Sequence, residues 1–312
     1  MTQDIQRLGF VGLGVMGEPI CRNLATKSGL AITAYDLDPL PLRRLAAHGV
    51  EAAASVADVM RSAEVVFLSL PSGEVVRQLA QQPGGLLAGA RPGQIVIDTS
   101  TSAVSTTRQL AREFAARGAT FIDAPVARTR AAAEAGTLSV MVGADLDTFE
   151  KVRPLIASYA SDIALCGEVG CGQVMKILNN MLLFQIITAV SEAKVVAERA
   201  GVDAALMFDV LSKGSADSFA LRNHGMKAVL PREFPSRSFS VEYARKDLRY
   251  GLQLAREVGV DAKWGEDVDG LFQRAIEAGH GGDYWPVISL LIEQDAGRAT
   301  SRAAQAVGKA HV

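Results

Sequence analysis

Residues 7–17 read Arg7-Leu8-Gly9-Phe10-Val11-Gly12-Leu13-Gly14-Val15-Met16-Gly17. The apolar run at the start predicts a buried strand, and the glycines after it have the spacing G-x-G-x-x-G directly before the helix-like segment Glu18–Lys27. In this setting the first glycine allows a tight turn, the second lets a pyrophosphate approach the backbone, and the third permits close helix–strand packing. The N–H groups at the helix start favour an anion. We therefore predict that a dinucleotide binds at Gly12, Leu13, Gly14, Val15, Met16 and Gly17.

An acidic residue follows the second apolar run, Ala31–Tyr35. The carboxylate of Asp36 is placed to accept hydrogen bonds from the adenosine ribose hydroxyls and to repel a 2′-phosphate. The next residues, Leu37–Pro39, include no arginine that could pair with such a phosphate. The sequence therefore predicts NAD(H) rather than NADP(H) as cofactor. The nearby Asp38 is better explained as the residue that starts the next helix than as a ribose ligand.

The rest of the first half repeats an alternation of strand and helix. Short apolar runs alternate with helical periodicity, which is typical of a parallel sheet covered on both faces. The runs are Leu8–Val11, Ala31–Tyr35, Val65–Leu70, Ile95–Ile97 and Thr120–Ile122, with Ser139–Val142 as a further candidate. We predict an α/β Rossmann domain with a doubly wound, mainly parallel sheet.

The pattern changes after Gly172. Residues 173–200 contain neither Gly nor Pro, read as one long helix, and end at Gly201, a residue suited to a left-handed C-cap. Strand-like runs then cease, and four further segments look helical. We predict two domains: an NAD-binding Rossmann domain over residues 1–165, and an all-helical domain over residues 166–312 that opens with a long helix over 172–200.

Composition excludes several function classes. The chain has 312 residues, 49% of them hydrophobic, and a net charge of −2, so nothing favours a nucleic acid or an anionic membrane as partner. The three cysteines and four histidines lack metal-ligand spacing, so no protein-bound metal is expected. The polar start lacks the features of a signal peptide, and we expect a cytoplasmic protein.

Two further motifs carry candidate chemistry. Lys176, Asn179 and Asn180 share one face of the long helix, where an ammonium group can protonate an oxygen that the amides help to hold. A solvated polar helix face would show the same spacing. In Asp123-Ala124-Pro125-Val126-Ala127-Arg128-Thr129, the guanidinium of Arg128 could bind a small anion, although loop arginines mostly face solvent.

The chain also contains Asp98-Thr99-Ser100-Thr101, Gly136-Thr137-Leu138 and Lys246-Asp247-Leu248. Together with the motifs above, these make the chain resemble the β-hydroxyacid dehydrogenase family over nearly its whole length. The resemblance implies that Lys176 is the catalytic proton donor or acceptor and that subunits associate as a homodimer or homotetramer through helical domains. It also implies that Asn179 and Asn180 orient the substrate. For the cofactor it implies contacts at Leu70, Pro71, Thr101 and Lys246.

The substrate loop departs from the family's usual pattern. Most members place Ser-Gly-Gly after Asp-x-Pro-Val, where this chain has Ala127-Arg128-Thr129. The Arg-Thr version resembles the loop of 3-sulfolactaldehyde reductases, from which Ala127 and Arg130 are small departures. Arg128 and Thr129 are therefore the expected substrate-binding residues, and the expected reaction is NADH-dependent reduction of 3-sulfolactaldehyde to 2,3-dihydroxypropane-1-sulfonate. A carboxylate substrate, such as succinic or tartronate semialdehyde or 3-hydroxyisobutyrate, stays open. So does a non-catalytic NAD-binding sensor.

Overall fold

The computed structural model describes residues 5–236 and 238–297. The first compact unit ends at Lys176 and the second begins at Ile177, within one long helix. The domain boundary expected after residue 165 falls inside the last strand of the first unit, Ala160–Gly167. The end of the predicted second domain, residues 298–312, lies outside the described residues.

Among the described residues, nine strands form one sheet. They are β1 Arg7–Val11, β2 Ala31–Tyr35, β3 Val50–Ala52, β4 Val65–Leu68, β5 Ile95–Asp98, β6 Thr120–Asp123, β7 Val126–Ala127, β8 Leu138–Gly143 and β9 Ala160–Gly167. The order is β3-β2-β1-β4-β5-β6-β8-β7, and β9 pairs with β8. Within this order, the six strands β3, β2, β1, β4, β5 and β6 are parallel to one another, whereas β8 runs antiparallel to β6 and β7.

Helices cover both faces of this sheet. Neighbouring side chains of β4 pack in different hydrophobic cores: Phe67 belongs to one buried cluster, and Val66 and Leu68 belong to another. The helices are α1 Gly17–Lys27, α2 Pro39–Ala46, α3 Val56–Ser62, α4 Gly73–Gln81, α5 Leu86–Gly89, α6 Val104–Ala115, α7 Arg130–Ala135 and α8 Leu146–Ile156. The predicted doubly wound Rossmann fold is confirmed.

The regular elements of the second unit are all helical among its described residues. Its elements are α9 Cys171–Arg199, which begins in the first unit, α10 Ala204–Leu211, a π-helix Leu221–Val229, α11 Val241–Glu257, α12 Lys263–Glu277 and a 3₁₀ turn Trp285–Val287 that leads into a helix over residues 288–297. Gly201 has φ +88° after α9, and the Asp203 carboxylate caps α10 by accepting from the N–H of Leu206 at 3.1 Å. The predicted all-helical C-terminal domain is confirmed.

The long helix α9 is apolar on much of its surface. By length and composition alone it could cross a membrane, with a mean hydropathy of 1.4 over its most apolar window, a property that core helices of soluble proteins share. Phe184 near its middle packs edge-on against Phe272 and Trp285, with ring centroids 5.2 and 4.9 Å away. This part of the helix therefore supplies core to the second unit.

Candidate active site

Strand register brings most of the predicted cofactor residues to one edge of the sheet. Val11 is level with Tyr35 and Leu68, and Leu68 continues through Asp98 to Asp123. The residues that follow these strand ends therefore gather at the carboxyl edge. The order in which strands are added to the sheet reverses at β1, which lies between β2 and β4, and the crevice outside such a switch point is where α/β sheets bind ligands.

The glycine loop has the shape that a dinucleotide requires. Gly12 has φ +92°, and a Cβ there would lie 2.3 Å from the carbonyl oxygen of Ser69, while a Cβ on Gly17 would lie 2.0 Å from the carbonyl oxygen of Gly12. A Cβ on Gly14 would meet no atom within 4 Å, so its backbone is open to a ligand. Met16 at the N-cap of α1 makes no side-chain cap hydrogen bond. The loop thus fits a pyrophosphate.

The other loop residues differ in exposure. The side chain of Leu13 is buried at 1% exposure, so only its backbone faces the loop, whereas Val15 is 53% exposed. The N–H of Leu13 donates to one carboxylate oxygen of Asp36, and the N–H of Asp38 donates to the other at 2.7 Å. A carboxylate offers about four acceptor positions, so Asp36 is held in place with capacity left for ribose hydroxyls.

Asp38 has the separate role expected from the sequence. Its carboxylate accepts from the N–H of Leu40 at 2.9 Å and caps α2. This division explains why two acidic residues stand so close together.

Hydrogen bonds also define the loop that carries Thr101. The N–H of Ser100 donates to Asp98 at 2.9 Å, and the hydroxyl of Ser102 donates to the other oxygen of Asp98 at 3.0 Å. The hydroxyl of Ser100 accepts from the N–H of Leu70 at 2.8 Å. Leu70 and Thr101, two predicted cofactor contacts, are thereby held on neighbouring loops, and Pro71 follows as an exposed residue.

Two buried side chains join this edge to the start of α9. The carboxylate of Asp123 accepts from the N–H of Gly170 at 2.6 Å and from the N–H of Gln173 at 2.7 Å. Burial raises the pKa of Asp123 to about 6, against the opposing effect of these two hydrogen bonds. The amide of Gln173 donates to the carbonyl oxygen of Ser100 at 2.8 Å and accepts from the N–H of Ser102 at 3.0 Å.

Lys176 stands three residues after Gln173 on α9 and is partly buried. The sequence pattern indicates Asp123 only as part of a motif and does not single out Gln173. A signal for Gln173 was present, since glutamine three residues before lysine shares its helix face.

A second polar cluster lies within the second unit. Asn179 donates to the side-chain oxygen of Asn180 at 3.0 Å, and buried Asn180 donates to Asp247 at 2.8 Å. The other oxygen of Asp247 lies 3.1 Å from the ammonium of Lys246, which also stands 5.3 and 5.4 Å from the ring centres of Tyr243 and Tyr250. Asp247, which the sequence indicated only as a motif neighbour, therefore connects two predicted site residues, Asn180 and Lys246.

The structure places the side chain of Arg128 differently from the simplest expectation. Its guanidinium donates to the carbonyl oxygen of Thr137 at 2.6 Å, the hydroxyl of Ser161 at 2.9 Å and the carboxylate of Asp162 at 2.7 Å. The Ser161 hydroxyl and Arg128 hold the pKa of Asp162 below its usual range. Arg128 has φ +85°, and exposed Thr129 is the N-cap residue of α7. The cation is thus present at the loop but engaged with protein acceptors.

No group of three or more His, Cys, Asp or Glu side chains within residues 5–236 and 238–297 could hold a metal ion.

Comparisons with known proteins agree with this geometry. Residues 7–168 match the NAD binding domain of 6-phosphogluconate dehydrogenase, and residues 170–291 match the NAD-binding domain of NADP-dependent 3-hydroxyisobutyrate dehydrogenase. The 3-hydroxyisobutyrate dehydrogenase of Pseudomonas aeruginosa is 36% identical over 82% of this chain and 86% of that protein. The 2-hydroxy-3-oxopropionate reductase of Escherichia coli is 33% identical over 82% of this chain and 86% of that protein.

A solved structure supports the same assignment. Mycobacterium tuberculosis 3-hydroxyisobutyrate dehydrogenase with L-serine superposes with a TM-score of 0.84 at 31% identity, over 92% of this chain and 99% of that one. The two chains therefore share their fold over almost their whole lengths. The chain belongs to the β-hydroxyacid dehydrogenase family, resembling 3-hydroxyisobutyrate dehydrogenases, and is an oxidoreductase that acts on hydroxyl or aldehyde groups with a nicotinamide dinucleotide.

Proposed function

We propose that this enzyme catalyses hydride transfer between NAD(H) and a short anionic aldehyde or its 3-hydroxy acid counterpart, with Lys176 as the proton donor. The observation that carries the proposal is the anchoring of α9: the helix that bears Lys176 is hydrogen-bonded through Gln173 to both sides of Thr101. A lysine held next to a nicotinamide-binding loop is suited to carbonyl reduction.

The proposed steps follow from this arrangement. When bound, reduced nicotinamide supplies the hydride. As the carbonyl carbon gains it, the carbonyl oxygen becomes negative, and the ammonium of Lys176 donates a proton to that oxygen. In the reverse direction the neutral amine accepts the proton of the hydroxyl. Lysine is an ammonium at neutral pH, which suits reduction, so the two directions should have different pH optima.

We assign the remaining site residues as follows. Asn179 and Asn180 orient the substrate, and the bond from Asn180 to Asp247 at 2.8 Å restricts its amide to one orientation. Asp36 selects NAD(H) by accepting from the ribose hydroxyls. The glycine loop, Leu70, Pro71, Thr101 and Lys246 contact the rest of the cofactor.

Replacing Lys176 tests the proposed proton transfer. Lys176→Ala should lower kcat for aldehyde reduction by roughly 10²–10⁴-fold, because it removes the group proposed to protonate the oxygen. Lys213→Ala, which removes an exposed lysine paired with Asp209, is the matched control and should keep full activity. A decrease in kcat of only two- or threefold in Lys176→Ala would contradict the assignment of Lys176 as the proton donor.

For the substrate anion we propose a sulfonate, with 3-sulfolactaldehyde as the substrate and Arg128 as its anchor. A sulfonate is fully ionised at neutral pH and offers three oxygens to a guanidinium fork. The side chains of Arg128 and Asp162 are 36% and 59% exposed, and exposed ion pairs contribute only about 0–1 kcal/mol. A substrate anion can therefore compete with Asp162 for the guanidinium.

A carboxylate is the second candidate, and two observations favour it. Arg128 already donates to three protein acceptors. The relatives described above are named for carboxylate compounds, 3-hydroxyisobutyrate and 2-hydroxy-3-oxopropionate. In this case the loop backbone rather than the guanidinium would bind the anion.

Matched aldehydes that end in a sulfonate or a carboxylate separate the two candidates. With a sulfonate substrate, Arg128→Gly should lower kcat/KM by about 10- to 100-fold, the loss expected for hydrogen bonds to a charged group. Glycine accepts φ +85° without strain, so the loop conformation is retained. A wild-type preference for the carboxylate aldehyde that Arg128→Gly leaves unchanged would contradict the sulfonate assignment.

We also propose a cytoplasmic location and association of subunits through the helical unit, as the family resemblance implies. Light scattering of the purified enzyme would give the oligomer size.

A further inference from the structure

Gln173 is fully buried, although it is a polar side chain with both a donor and an acceptor to satisfy. Leaving such a group unpaired away from water is costly. Its amide satisfies both functions on the loop between β5 and α6, at the carbonyl oxygen of Ser100 and the N–H of Ser102. These two backbone groups flank Thr101, so Gln173 holds this residue from both sides.

Asp123 acts on the same turn of α9 from another strand. Its carboxylate accepts from the N–H groups of Gly170 and Gln173 at the start of the helix, where N–H groups have no partner within the helix. The fit is tight: a Cβ on Gly172 would lie 2.8 Å from this carboxylate, and a Cβ on Gly143 would lie 2.4 Å from it. The helix start therefore has little freedom to move relative to β6 and β8.

Gln173 and Lys176 are three residues apart and so lie on one face of α9, one above the other. A displacement of Gln173 would therefore displace Lys176 by a similar amount. The buried bonds of Gln173 and Asp123 connect three pieces: the loop of Thr101, the strand that leads into the substrate loop, and the helix of Lys176.

We propose that Gln173, supported by Asp123, is a positioning residue that sets the placement of Lys176 relative to the loop of Thr101. The inference rests on the proposed role of Lys176. Glutamine is the residue type that this position requires: glutamate would place a negative charge against the carbonyl oxygen of Ser100, and an apolar side chain would leave two buried backbone groups unpaired.

A double-mutant cycle on the full-length enzyme tests the proposal. Gln173→Met keeps the length of the side chain but removes its donor and acceptor. It should lower kcat by about 10- to 100-fold, because small misplacements of a catalytic group can cost about 10² in rate. In a Lys176→Ala background the same change should lower the residual rate less than threefold, since only the placement of Lys176 is lost.

Ile177→Val is the control for a purely structural effect. Ile177 is fully buried next to Lys176, and its truncation should lower Tm while leaving kcat per folded enzyme unchanged. Should Gln173→Met fail to fold, Gln173→Glu is measured against the same criteria, because it keeps the acceptor for the N–H of Ser102 and replaces the donor to Ser100 with an oxygen that repels its carbonyl oxygen.

An equal loss of rate from the Gln173 change in both backgrounds, or an unchanged kcat in Gln173→Met alone, would overturn the positioning role. An unchanged kcat in Lys176→Ala alone would instead contradict the proposed function.

Discussion

Asp123 is a carboxyl group with no exposure to solvent. Burial raises its pKa to about 6, from an ordinary 3.8, and neighbouring Asp98 adds to the effect. Because the folded chain holds this proton more tightly than the unfolded chain, the stabilising contribution is complete below about pH 4 and is lost as the pH rises through 6. The loss is of the order of 3 kcal/mol.

Unfolding free energies of wild type and Asp123→Asn, measured by denaturant titration from pH 4 to 7.5, check this expectation. The advantage of wild type over the variant should shrink as the pH rises from 4 to 6.5 and stay level above. Asp145 gives the opposite case, because the N–H of Thr148 lowers its pKa. Its contribution should be lost as the pH falls below 4. A difference between wild type and Asp123→Asn that does not vary with pH would show that Asp123 does not titrate in this range.

The sequence predicts individual site residues but not the residues that they contact. The sequence predicted the individual polar residues Lys176, Asn180 and Arg128 but not their hydrogen-bond partners. Asp162, the partner of Arg128, is far away in sequence on a strand whose side chains are mostly exposed, so no apolar pattern pointed to it. Distant pairs of this kind depend on tertiary packing, which local periodicity does not report.

At the scale of elements, the start of α9 depends on a close approach to β8. A Cβ on Gly172 would lie 2.3 Å from the carbonyl oxygen of Met141, a backbone atom that cannot easily move. Gly172→Ala should therefore destabilise the protein by roughly 1–3 kcal/mol, the usual cost of overpacking. It should also lower kcat, because the helix that carries Lys176 must shift. Urea denaturation and steady-state kinetics measure the two effects.

Gly270 provides the matched control within α12. A Cβ there would meet no atom within 4 Å. Gly270→Ala should stabilise the protein by about 0.4–1 kcal/mol and leave kcat unchanged. If Gly172→Ala behaved like Gly270→Ala, the close packing of α9 on the sheet would be refuted.

The elements that the sequence predicted well are those with a strong apolar period. The five buried parallel strands and α9 appear within two residues of their expected limits. The strands β3, β7 and β9 are not predicted by the sequence pattern. Two of these have burial patterns dominated by exposed residues, and β7 has only two residues. The π-helix Leu221–Val229 is also not predicted, because its number of residues per turn differs from the α-helical period and from the strand period.

For the whole molecule, the order of motifs was more informative than any one of them. The glycine loop, Asp36, the Thr101 loop, Asp123 and Lys176 occur in this order along the chain, and the parallel register brings the first four to one edge. Family, fold and cofactor class could therefore be predicted from the sequence. The substrate anion could not, because it depends on whether Arg128 binds the substrate or stays with Asp162.

Initial rates of nicotinamide oxidation by the wild-type enzyme test the central claim most directly. The substrates are short aldehydes of equal length that end in an anionic or a neutral group, each assayed with NADH and with NADPH. We expect kcat/KM with NADH to exceed that with NADPH, and to be about 10- to 100-fold higher for an anionic aldehyde than for its neutral counterpart. Equal rates for anionic and neutral aldehydes, a preference for NADPH, or no oxidation with any of them would contradict the account.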